Sequence, residues 1–155
     1  MKVYFAAGCF WGIEKKFSML SGVSKTAVGY MGGDFSEPTY KQVCSGETGH
    51  AEAVEVDFYP AQISYQELLN RFWQMHNPTS LNRQGWDIGT QYRSAIYYVD
   101  EAQRVAAEQS REEETATGRH ADPIVTEITQ AGTFWRAEEY HQQYLDKQSK
   151  GSCSN

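Results

Sequence analysis

The feature that most limits the fold is an abrupt change of period near the N-terminus. Val3-Tyr4-Phe5-Ala6-Ala7 reads as a strand, and from Phe10 onward the apolar residues Phe10, Ile13, Phe17 and Leu20 recur at helical spacing. Gly22 supplies the stop for that helix. The chain therefore opens as strand, turn and helix, with Gly8-Cys9 at the joint. A buried cysteine behaves as a small hydrophobe and would suit the strand interior. This one sits where the strand stops.

The same reading continues along the chain. Ser24 to Tyr30 reads as a strand, Tyr40 to Cys44 as a short helix, and Ala51 to Phe58 as a strand with period-two alternation. Ser64-Tyr65-Gln66-Glu67 is a capping box opening a helix that Asn77-Pro78 should end. Pro78 to Gln91 reads as a long, glycine-punctuated loop. Arg93 to Val99 is an expected strand, Glu101 to Thr117 a largely solvated helix capped by Asp100, Ile124 to Thr129 a strand and Ala137 to Lys147 a final helix. Strands interleaved with helices over this length predict an α+β two-layer sandwich with a mixed sheet and a ferredoxin-like core. One catalytic domain is expected over residues 1–147. Residues 148–155 lack hydrophobic periodicity and are expected to form a flexible tail carrying Cys153.

Composition narrows the function classes. With a net charge of -6 over 155 residues and no dense Lys/Arg cluster, nucleic acid is not an expected partner. Met1-Lys2 leads straight into the first strand without a signal-peptide core, and no apolar run approaches the roughly 20 residues of a membrane span. A cytoplasmic chain that binds no membrane is the expectation. Three widely spaced cysteines do not make a secreted disulfide framework. Four histidines, scattered singly without a CxxC pair, give no metal-ligand spacing.

Candidate chemistry gathers around Cys9. A thiol at a helix N-terminus faces unpaired N–H groups and the positive end of the helix dipole, so its pKa is expected to fall. Phe10 and Trp11 offer aromatic surface suited to a methyl group or thioether, though both also fit a core. In the strand starting at Ala51, Glu52 shares a face with Val54, Val56 and Phe58, while Glu55 and Asp57 take the other. Glu52 is then either a buried acid with a raised pKa, able to donate a proton, or a partly wet rim residue. Tyr40 and Tyr92 lie where loops meet regular elements and their hydroxyls can face a cleft. Asp87 sits in a binding-type loop or satisfies a turn. Two rival readings remain at this point: a cysteine hydrolase using His50 as base, and a peptide-binding domain with an incidental thiol.

Gly8-Cys9-Phe10-Trp11-Gly12 resembles the GCFWG signature of the peptide methionine sulfoxide reductase A family. Five further blocks resemble the family in order: GYMGG (29–33), PTY (38–40), VCSGETGHAEAV (43–54), NRQGWDIGTQYRSAIYY (82–98) and AEEYHQQYL (137–145). The sequence departs from the pattern at Asn77, where the family more often has Asp before Pro-Thr. The resemblance implies that Cys9 attacks the sulfoxide sulfur and Glu52 protonates the departing oxygen. Tyr40 and Tyr92 would hold that oxygen, Phe10 and Trp11 would cradle the methyl, and Asp87 would line the substrate site. It implies the S epimer, free or in oxidised proteins, as substrate, and a sulfenic acid on Cys9. Cys153 in the tail is expected to resolve that acid as a disulfide, which thioredoxin reduces without a bound cofactor. Cys44 beside Val43 reads as packed and inert. The chain is expected to act as a monomer.

Overall fold

The computed structural model describes residues 1–151, and side chains as far as residue 148. Strands β1 (Lys2–Ala7), β2 (Val23–Met31) and β3 (Ala51–Phe58) alternate with helices α1 (Phe10–Ser18), α2 (Tyr40–Cys44) and α3 (Tyr65–Met75). After the short strands β4 (Arg83–Gln84) and β5 (Asp87–Ile88) come β6 (Ser94–Tyr98), α4 (Glu101–Ala116), β7 (Glu127–Gln130), β8 (Trp135–Arg136) and α5 (Tyr144–Gly151). Six strands form one sheet in the order β7-β6-β1-β3-β2-β8. Its central β6-β1-β3-β2 block is antiparallel and β7 joins β6 in parallel, so the sheet is mixed. The units β1-α1-β2 and β3-α3-β6 interleave as the two split βαβ halves of a ferredoxin-like core.

Alternation along the strands sorts the core. Val3, Phe5 and Ala7 of β1 meet Phe10, Ile13 and Phe17 of α1 and Leu68, Leu69 and Phe72 of α3. Phe5 is the hub: its ring stacks on Phe17 at 4.9 Å and on Phe72 at 5.2 Å. Ala6, Met31, Ala51, Ala53, Ala95 and Tyr97 form a thinner cluster on the opposite face, where Phe134 packs. Four of the six are alanines, and Phe134, from the loop between β7 and β8, packs over them together with the larger Met31 and Tyr97.

Several boundaries differ from the sequence reading. Helix α1 ends at Ser18, short of Gly22, and Leu20 packs on the core from the turn that follows. The 78–91 segment is not a plain loop: β4 and β5 form a hairpin, followed by a 3-10 turn at Thr90–Tyr92. Asn77 replaces the expected Asp without loss, its Oδ1 accepting from the N–H and hydroxyl of Thr79. Strand β7 starts only at Glu127, and β8 had no sequence signal because it contributes just two residues opposite Gly29 and Tyr30. Helix α4 buries a mostly polar stripe, Gln103, Ala107, Ser110 and Glu114, with Ser110 accepting the indole N–H of Trp73 at 2.8 Å.

The largest departure is the expected helix over Ala137 to Lys147. A 3-10 turn at Glu139–His141 and a break at Gln142-Gln143 precede α5, with Gln143 at φ 49°. The break is held by tertiary hydrogen bonds. Buried Gln142 accepts from Val28 N at 2.8 Å and donates to Val28 O and Ala137 O, each at 2.9 Å. Gln143 donates its backbone N–H and side-chain amide to buried Glu14 of α1. These bonds replace the helical ones that the local sequence favours. Helix α5 runs from Tyr144 to Gly151. Cys153 lies outside the described residues.

Candidate active site

The site is built where β1 hands over to α1. Gly8 has φ 103° and the hairpin packs against it so closely that a Cβ there would lie 2.9 Å from Gln84 Cγ. Only glycine allows both at once. Cys9 follows as the N-cap residue of α1, half-buried, and its side chain makes no capping hydrogen bond.

Glu52 of β3 is 1% exposed, on the same face as Val54 and Val56, which settles the choice between buried acid and wet rim. Its Oε1 accepts the N–H of Phe10 at 3.1 Å, tying the carboxyl to the first turn of α1. Burial pushes the Glu52 pKa up to about 8, against the lowering effect of that N–H. The acid is thus largely protonated at neutral pH, with Oε2 left to carry the hydrogen.

The expectation of a depressed Cys9 pKa is overturned. Burial raises it to about 11, with the carboxyls of Glu52 and Asp87 adding to the rise, while the N–H groups of Trp11 and Gly12 pull the other way. The helix terminus does favour the thiolate, but taking a negative charge out of water costs more. In the free protein Cys9 is a neutral thiol.

Tyr40 opens α2 and Tyr92 closes the 3-10 turn after the hairpin, so two elements far apart in sequence bring phenols to one place. Burial pushes Tyr92 up to about 12, and the Coulombic influence of Glu52, Cys44, Asp87 and Cys9 on it marks the cluster. Tyr40 is raised by burial and by its contact with Cys44, and also senses Glu52 and Tyr92. Asp87, on β5, is exposed at the mouth. Phe10 is fully buried among Tyr30, Tyr40 and His141, while half-buried Trp11 stacks on Tyr144 at 3.9 Å.

Two further expectations change. Cys44 is exposed, not packed, because it sits at the open end of a five-residue helix whose buried side chain is Val43. His50 is committed to the backbone: Nδ1 accepts from Gly33 N at 3.0 Å, so Nε2 carries the hydrogen and donates to Phe35 O at 2.6 Å. With both ring nitrogens occupied it has no free acceptor to activate a thiol.

Sequence reading missed two residues of the 137–145 block. Glu138 accepts from the Tyr30 hydroxyl at 2.8 Å and from Tyr40 N at 2.9 Å. Burial raises its pKa, but these donors together hold it below the usual carboxylate range. His141, 1% exposed, accepts the indole N–H of Trp11 at Nδ1, 2.9 Å away. Indole nitrogen only donates, so His141 is neutral with its hydrogen on Nε2, where it has no partner among the described residues. The signal was the AEEYHQQYL block itself, whose glutamate and histidine carry chemistry that its helical spacing does not reveal.

Residues 1–155 match the family described as peptide methionine sulfoxide reductase. The chain belongs to that family. A peptide methionine sulfoxide reductase MsrA of Geobacter metallireducens is 58% identical over 153 residues, 99% of this chain and 94% of that protein. Among solved structures, reduced Mxr1 from Saccharomyces cerevisiae has a TM-score of 0.90 at 36% identity, covering 97% of this chain and 87% of that one. Methionine sulfoxide reductase A of Corynebacterium diphtheriae has a TM-score of 0.84 at 40% identity, covering 98% and 76%. The chain is an enzyme, and the reaction class is reduction of methionine sulfoxide. Among the described residues no helix is long and apolar enough to cross a membrane, and no group of three His, Cys, Asp or Glu could hold a metal ion.

Proposed function

We propose that the S epimer of methionine sulfoxide is reduced by attack of Cys9 on sulfur, with Glu52 as the acid. The observation that carries this is the buried Glu52 carboxyl fixed by Phe10 N and still holding its proton near neutrality. A sulfoxide oxygen leaves poorly unless protonated, and a soft sulfur nucleophile suits a sulfur centre. Oε2 of Glu52 gives its proton to the oxygen, the phenols of Tyr40 and Tyr92 hold that oxygen, and the carboxylate formed takes the Cys9 thiol proton as the S–S bond forms. The polarised sulfur of the substrate supplies the positive charge that the free site lacks. Phe10 and Trp11 flank the methyl, and Asp87 lines the mouth. Glu52 then protonates that oxygen again and it leaves as water; a water adds to the Cys9 sulfur, returning its proton to Glu52, as the S–S bond breaks and the thioether departs, so thiol plus sulfoxide becomes sulfenic acid plus sulfide.

Return of the thiol belongs to the second half of the cycle. Cys153, on the segment beyond residue 147, condenses with the sulfenic acid, releasing water and forming a Cys9–Cys153 disulfide that thioredoxin reduces. Exposed Cys44 is the competing partner. The test combines two variants. Glu52→Gln should slow single-turnover reduction at neutral pH by about 10²–10⁴-fold, the range of general acid catalysis; an unchanged rate would take the proton away from Glu52. Cys153→Ser should complete one turnover and stop, whereas continued thioredoxin-driven cycling that Cys44→Ser abolishes would move the relay to Cys44.

A further inference from the structure

The strongest unexplained feature outside the reacting cluster is Trp86, 96% exposed at the turn of the β4–β5 hairpin. An indole is among the side chains least often left fully in water. Its perch is rigid. Gly85 has φ 57°, as the two-residue primed turns of hairpins require, and the Arg83 guanidinium donates to Gly85 O at 2.7 Å. Gly89 N donates to Asn82 O at 2.9 Å across the hairpin base, and the Gln84 side chain bonds both N and O of Asn77. The hairpin is also fixed relative to the thiol. Gln84 and Asp87 are cross-strand partners, and one lies against Gly8 while the other electrostatically influences Cys9, Glu52 and Tyr92. The turn therefore holds the exposed indole one residue beyond the mouth of the site.

Resting on the reading of Cys9 and Glu52 given above, we propose that Trp86 is a contact for the polypeptide flanking the oxidised methionine. It favours apolar or aromatic neighbours of the sulfoxide residue. A methionine side chain that reaches Cys9 leaves its backbone at the rim, and the adjoining residues must then lie across whatever the rim presents. A large apolar plate held on a stiff turn binds such residues at little ordering cost, whereas free methionine sulfoxide has no flanking side chains to use it.

The test measures kcat and KM for Trp86→Ala and Trp86→Phe on three substrates: free methionine sulfoxide, a peptide with Leu and Phe beside the sulfoxide residue, and the same peptide with Ser and Gly there. A chemical reductant is used so that no partner protein intervenes. Trp86→Ala should raise KM for the Leu/Phe peptide about tenfold, equivalent to about 1.4 kcal/mol, with kcat unchanged. KM for the other two substrates should stay within about twofold, and Trp86→Phe should restore most of the loss. Equal effects on all three substrates, or none on the Leu/Phe peptide, would overturn the proposal. So would a defect that emerges only when thioredoxin is the reductant, because the surface would then serve the reductant. Failure of the underlying reading is separately visible: Cys9→Ser or Glu52→Gln, with Trp86 intact, would then leave reduction of all three substrates unchanged.

Discussion

The junction at Cys9 and the strap that runs from Ala137 to Tyr144 make opposite demands on the chain. At the junction, local rules agree with the tertiary structure: a strand ends, glycine turns the backbone, and an apolar stripe begins a helix against the sheet. Along the strap they disagree. Its residues favour a helix, yet Gln142 and Gln143 spend their hydrogen bonds on β2 and α1, and the helix is broken so that Glu138 and His141 reach the aromatic wall. The thiol thus comes from a segment that folds by its own pattern, and the hydrogen bonds to Tyr30, Tyr40 and Trp11 from one that folds by contact.

That contrast can be stressed at four points. The largest effect concerns Glu52, whose folded pKa of about 8 lies above its ordinary 4.5. Burial of its charge costs nothing while both states are protonated, below about pH 4.5, and the penalty is complete above about pH 8. Glu52→Gln should therefore gain several kcal/mol of unfolding free energy at pH 9 and almost none at pH 4, measured by urea titration at each pH. A pH-independent difference would mean the carboxyl is not buried in charge-sensitive surroundings.

Gln142→Ala tests the strap. It leaves the N–H of Val28 and the C=O of Ala137 without their partner, while the C=O of Val28 keeps the N–H of Ala137, and should cost about 3 kcal/mol in the same titration. A loss under about 0.5 kcal/mol would show that the strap's shape does not depend on these bonds. Next is Cys9 itself: with a pKa near 11 rather than the ordinary 9.0, its thiolate fraction at pH 7 is about a hundredfold lower than that of an unperturbed thiol. Iodoacetamide should label it correspondingly slowly, with the rate climbing toward pH 11; fast labelling at pH 6 would restore the helix dipole as the dominant influence. The smallest effect is expected for His141→Phe, which keeps a ring but leaves the Trp11 indole without an acceptor. Loss of one partly buried hydrogen bond predicts about a tenfold fall in kcat/KM, with kcat less affected. An unaltered kcat/KM would remove Trp11 orientation from the requirements of the site.

The placement of Cys9, Glu52, Tyr40 and Tyr92 was legible in the sequence because each sits at a boundary or on an alternating face that local pattern defines. Glu52 is the clearest instance: counting by two along β3 placed it among Val54, Val56 and Phe58, where it is found. The exposure of Cys44 was not legible, since a five-residue helix is too short for its period to separate buried from open positions. Nor was the strap, where a polar block with helical spacing gave no hint that its glutamines bond elsewhere.

The sequence by itself determined the order of the main strands and helices as far as α4, the position of the thiol at a strand-to-helix joint and the face on which the acid lies. Side-chain periodicity, turn residues and caps are properties of neighbours along the chain, and they are all that those features require. Tertiary structure decided the protonation state of the pair. The helix terminus that favours the Cys9 thiolate is local, but the desolvation that outweighs it depends on everything packed around the sulfur and the carboxyl. Only the assembled fold removes that water, and so only the fold raises both pKa values.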